Sequence, residues 1–125
     1  MNWNSIRLEL RRSESSPNGS ASRAYLVRLP IGDDGLIDRA ALEAVPQQAT
    51  MRRLWPNEPD ASGHVVRLNG HWALAASAPG HGSAVVAELE DSPLREGSVV
   101  TIIERSGERL PFRVAKMRSM LKRQT

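Results

Sequence analysis

Three histidines, His64, His71 and His81, are the first side chains to consider for metal binding or proton transfer near neutral pH. A two-residue Asn69-Gly70 loop would set Leu68 opposite His71 and leave His64 opposite a Gly or Ser beyond the strand end. The two rings are then not neighbours, and a shared metal is not expected. Glu58, Asp60 and His64 lie in a proline-stiffened stretch that could hold a metal. Their spacing matches no strong ligand pattern, and loop carboxylates are usually just solvated. His81-Gly82-Ser83 is too close in sequence for a serine–base pair, as are Ser62 and His64. No Gly-x-Ser-x-Gly elbow occurs. Gly32-Asp33-Asp34-Gly35 is acidic and would repel phosphate. Gly80-His81-Gly82 lacks the lysine and helix of a phosphate loop. With no cysteine, thiolate ligands, cysteine nucleophiles and disulfides are excluded. No catalytic constellation emerges and no cofactor is expected. The chain reads as non-enzymatic, with a small hydrolase or metal enzyme around residues 58–64 as the enzymatic alternative.

The elements that would position these residues are strands. Trp3 to Arg11 alternates, with Ile6, Leu8 and Leu10 on one face and Arg7, Glu9 and Arg11 on the other. Arg12 to Ser22 is a polar loop, and Arg23 to Leu29 resumes as a strand, giving a hairpin. Pro30 to Gly35 is turn chemistry, and Asp38 is a good N-cap for a short helix through Ala44. Leu42 and Val45 could bury one side of that helix. Leu36-Ile37 could pack on Ala41 or Leu42 as a hydrophobic staple. Strands are expected at Thr50–Trp55, at Gly63–Leu68 and His71–Ala76 around the Asn-Gly turn, and at Ser83–Glu90. Ser98–Glu104 and Glu108–Ala115 form a last hairpin, in which Pro111 suggests an edge strand or a bulge. The fold class is mainly β. About eight short antiparallel strands with one short helix would form a small barrel or a sandwich. Residues 1–115 read as one β-rich domain and 116–125 as a basic C-terminal tail.

The chain carries 17 basic and 14 acidic side chains among 125 residues, a net charge of +3. The charge is unevenly placed. Residues 1–28 carry +3, residues 29–61 carry −3, residues 62–115 carry −1 and residues 116–125 carry +4. Positive charge therefore sits at the two ends of the chain, and a uniformly basic nucleic-acid binder is not implied. The opening Met1–Arg7 lacks the order of a secretion signal, and no run approaches the roughly 18 apolar residues of a membrane span. A cytoplasmic location is expected.

The five aromatic residues are Trp3, Tyr25, Trp55, Trp72 and Phe112. Tryptophans most often fill cores, but they also anchor interfaces. Alternation in Arg52-Arg53-Leu54-Trp55 puts Arg53 and Trp55 on one face, so one of them looks out of place. An exposed Trp55 beside Arg52 and Arg53 would be a partner-binding spot. In the tail, Met117, Met120 and Leu121 would line one side of a helix, with Lys116, Arg118, Lys122 and Arg123 around it. Such a stripe could dock on a partner or touch phosphates, although a solubilising tail is the commoner use.

The stretch Leu54-Trp55-Pro56-Asn57-Glu58-Pro59-Asp60-Ala61-Ser62-Gly63, with the segment Glu96 to Glu104, resembles small bacterial proteins of uncharacterised function. The resemblance implies no activity and no site. The leading expectation is a protein-binding or adaptor module using Arg52, Arg53, Trp55, Lys116, Arg118, Lys122 and Arg123. The alternative is a nucleic-acid-contacting module in which Arg7, Arg11, Arg52, Arg53 and the tail share a face.

Overall fold

The computed structural model describes residues 2–11, 19–78, 80 and 82–120. Eight strands follow in chain order: β1 (Asn2–Leu10), β2 (Ser20–Ile31), β3 (Thr50–Leu54), β4 (Ala61–Leu68), β5 (His71–Ala78), β6 (Gly82–Leu89), β7 (Val99–Glu104) and β8 (Arg109–Ser119). Each pairs antiparallel with the next, and β8 pairs back onto β1. Of the two expected architectures the fold is the barrel, and it is closed. Closure gives every strand two hydrogen-bonded neighbours, although β6 meets β7 only over Ala87–Leu89 and β2 meets β3 only over Ala24–Val27.

The alternation read from β1 sets the inside. Ile6, Leu8 and Leu10 are buried, and their inward-facing counterparts include Val27, Leu29, Met51, Val65, Leu74, Ile102 and Phe112. An eight-stranded barrel is just wide enough for such side chains to fill. Two single-residue bulges adjust its curvature. Ala115 is skipped where β8 crosses from Lys116 to Val114 against β1, and Val86 is skipped where β6 crosses β5.

Helix α1 (Arg39–Ala44) lies between β2 and β3. The Asp38 carboxylate caps it by accepting from the Ala41 amide at 3.0 Å. Leu42 is buried, and Ile37, just before the cap, packs against the same core cluster. A 3-10 turn (Pro46–Gln48) then leads to β3. Ala49 and, from the β6–β7 connection, Leu94 join the same core. These connections leave one end of the barrel; the β3–β4 and β7–β8 turns lie at the other.

Three local expectations need correction. Pro111 is in neither an edge strand nor a bulge. Its carbonyl accepts from the Arg11 amide at 2.9 Å, and it pairs with Thr101. In an antiparallel strand a residue's N–H and C=O share an edge, so the missing donor falls where the β1 ladder ends. Residues 117–119 are strand rather than helix, because β1 offers partners at Ile6, Ser5 and Asn4. His64 stands opposite Ala75 and Thr50, not beyond a strand end.

Candidate binding face and barrel end

Arg52 and Arg53 part company at their backbone register. Arg53 pairs with the inward Tyr25, and Arg52 pairs with the outward Leu26. Arg53 therefore turns into the barrel. Its Nη2 donates to the Glu104 carboxylate at 3.0 Å and its Nε to the Tyr25 hydroxyl at 3.2 Å. The Tyr25 hydroxyl in turn donates to Glu104 at 2.5 Å. The guanidinium lies 3.9 Å from the Trp55 ring centroid, and its Nη1 donates to Glu58 at 2.9 Å. Trp55 is half-buried, edge-on to Tyr25 at 5.8 Å and tilted against Phe112 at 6.2 Å.

Both residues on that face thus belong inside, and neither is out of place. Trp55 packs against the core instead of forming an exposed apolar patch. Burial, then the hydrogen bond to the Glu104 carboxylate, holds the Tyr25 hydroxyl far above its ordinary pKa, with Arg53 pulling the other way. Burial alone would lower the Arg53 pKa. The hydrogen bonds to Glu104 and Tyr25 overcome this and leave it raised.

The outer face collects the other cations. Barrel closure sets β8 beside β1, so the two positive ends of the chain become adjacent strands. Lys116 pairs with Arg7, Arg7 with Leu26, Leu26 with Arg52, and Arg52 with Ser62. One step along, Arg118 pairs with Ser5 and Ser5 with Arg28. Glu9 pairs with Arg7 at 2.6 Å, and Asp60 with Arg52 at 2.9 Å. Arg28, Lys116 and Arg118 are exposed and have no carboxylate within 4.0 Å among the described residues. A groove of about 800 Å³ crosses the short strand β3, lined on its outer side by Leu26, Arg28, Thr50, Arg52, Ser62 and His64. It offers cations, hydroxyls and the His64 imidazole, but no Trp, Tyr or Phe ring.

The metal reading finds its carboxylates already engaged, Glu58 by Arg53 and Asp60 by Arg52. Among the described residues no three His, Asp or Glu side chains gather as a metal group. His71 stands opposite Leu68 on the exposed surface. Lys122, Arg123 and His81 lie outside the described residues.

Sequence reasoning missed Arg28, Tyr25 and Glu104. Alternation along β2 does send Arg28 outward and Tyr25 inward. Nothing in the sequence links Arg53 to a carboxylate 51 residues later. No helix among the described residues is long and apolar enough to cross a membrane. No family model matches the chain, and neither a curated protein nor a solved structure matches it.

Proposed function

We propose that this protein is a non-enzymatic binding module that holds the phosphate backbone of a nucleic acid on the outer face of β8, β1, β2 and β3. The ladder of Lys116, Arg7 and Arg52 beside Arg118 and Arg28 carries this reading. Neighbouring strands stand about 4.8 Å apart, so Lys116 and Arg7 lie one spacing apart, and Arg7 and Arg52, like Arg118 and Arg28, lie two apart. The hydroxyls of Ser5, Thr50 and Ser62 line the same groove and can donate to phosphate oxygens. Trp72, Tyr25 and Phe112 are buried, and Trp3 and Trp55 pack against the core. The His64 imidazole is then the one aromatic ring lining the groove, the phosphate contacts dominate, and the expected binding is largely independent of sequence.

Fluorescence anisotropy with a labelled single-stranded 20-mer tests the proposal. Four engaged phosphates give a log affinity against log salt slope of about −3. The variant carrying both Arg28→Glu and Arg118→Glu should lose most of the affinity at low salt. Binding that is flat with salt, or unchanged in that variant, contradicts the proposal. A second reading, an acidic protein segment in the groove, is favoured by the apolar side chain of Leu26 in its floor. Preference for poly-glutamate over the oligonucleotide would select it.

A further inference from the structure

We propose that the barrel end around Arg53 is a separate binding site for a carboxylate, occupied in the ligand-free protein by the side chain of Glu58. The two carboxylates on Arg53 differ in kind. Glu104 is part of the inner wall, its side chain only 11% exposed, and it is shared with the Tyr25 hydroxyl. Glu58 comes from the turn between β3 and β4, and its side chain is 52% exposed. An exposed ion pair of this sort adds little stability, because water competes for both partners and a long side chain must be held still. The guanidinium itself stays put without Glu58. Glu104, the Tyr25 hydroxyl and the Trp55 face fix it from three sides. A rigid, half-buried guanidinium with one replaceable partner is suited to recognising a carboxylate.

Space and charge agree. A cavity of about 380 Å³ opens between the β3–β4 and β7–β8 turns, bounded by Arg53, Glu58, Glu104 and Arg105, with Pro59 and Val86 as apolar walls. That volume lies at the small end of ligand pockets. Arg105 has no carboxylate within 4.0 Å among the described residues, so it supplies a second cation. With Glu58 in place the cavity holds two positive and two negative groups. When Glu58 swings out, it becomes cationic. An incoming carboxylate restores the balance while its short apolar portion rests on Pro59 and Val86. Glu58 thus acts as a tethered competitor.

Two sources share this chemistry, a small organic acid and the C-terminus of a peptide. Amide NMR titrations of the wild type and Glu58→Ala with acetate, and with a dialanine peptide carrying a free or an amidated C-terminus, separate them. The expected result is a set of shifts at Arg53, Trp55, Arg105 and Ser106 with acetate and the free-carboxylate dipeptide, none of these with the amidated one. Glu58→Ala should bind about fivefold more tightly than the wild type. A dipeptide that binds tenfold more tightly than acetate identifies a peptide C-terminus; equal affinities identify a small acid. Shifts absent from this region in both proteins would overturn the proposal. So would a Glu58→Ala protein that binds no more tightly than the wild type. Glu58 is exposed, so its substitution leaves the fold in place for the comparison.

Discussion

Arg53 keeps its charge in a barrel interior because Glu104 and Tyr25 meet it there. Removing one member of such a pair is costly, since the other is left with a charge and too little water. Arg53→Met retains most of the packing volume and should lower stability by about 3 kcal/mol in urea unfolding. A loss below about 1 kcal/mol would mean that Glu104 rehydrates freely. Tyr25→Phe removes a hydroxyl that accepts from Arg53 and donates to Glu104, with an expected cost of about 1.5 kcal/mol. Tyr25 also sets an alkaline limit. Its folded pKa is raised above the unfolded value of 10.0, so its stabilisation is complete below about pH 10 and declines as pH rises further. Melting temperatures followed from pH 9 to pH 11 should fall less steeply in Tyr25→Phe than in the wild type. At Gly63, an added Cβ would stand 1.8 Å from the Ala75 carbonyl oxygen, a backbone atom that cannot step aside. Gly63→Ala should therefore destabilise by about 3 kcal/mol. At this scale alternation was sound and its interpretation was not. It correctly put Arg53 and Trp55 on one face. That the face points inward depends on Glu104 and Tyr25, which no local pattern connects to Arg53.

Among the elements, α1 is short, and its single buried residue Leu42 gives it little packing to rely on. Its capping contact therefore matters. Asp38→Ala should cost about 1 kcal/mol, read as a lower melting temperature with the barrel spectrum retained. The far end of β8 depends on β1 in a similar way. The Met117 amide donates to Glu96 at 3.0 Å, the Met120 amide to the Trp3 carbonyl at 2.8 Å, and the Met117 side chain packs on the core. A chain ended after Lys116 should melt several degrees below one ended after Met120. Equal melting temperatures would show that the last pairs of the β1–β8 ladder add nothing. The strands themselves were legible because period-two alternation, the Asn69-Gly70 turn and the Asp38 cap are local signals. The length of β8 was not. Lys116 to Ser119 is too charged to read as core strand, and its pairing with Asn4 to Arg7 across the ladder, which no local pattern reveals, holds it extended.

For the molecule as a whole, closure turns a charge pattern into a surface. The sequence has its positive charge at both ends and acidic stretches between, which taken linearly argues against a basic binder. Pairing β8 with β1 places Lys116 and Arg118 beside Arg7 and Ser5, and β2 and β3 add Arg28 and Arg52. A barrel was one of two architectures that the strand spacing allowed. Closure itself is a long-range pairing, and alternation within each strand carries no information about it. The cations on this face would hold a partner through side chains rather than through an added strand. The measurement that most directly tests the cationic face is an amide NMR titration of the full chain with a single-stranded oligonucleotide at low salt. Shifts are expected at Arg7, Arg28, Arg52, Lys116 and Arg118, fading together as salt rises. Shifts confined to the Arg53 end of the barrel, or none at all, would contradict it.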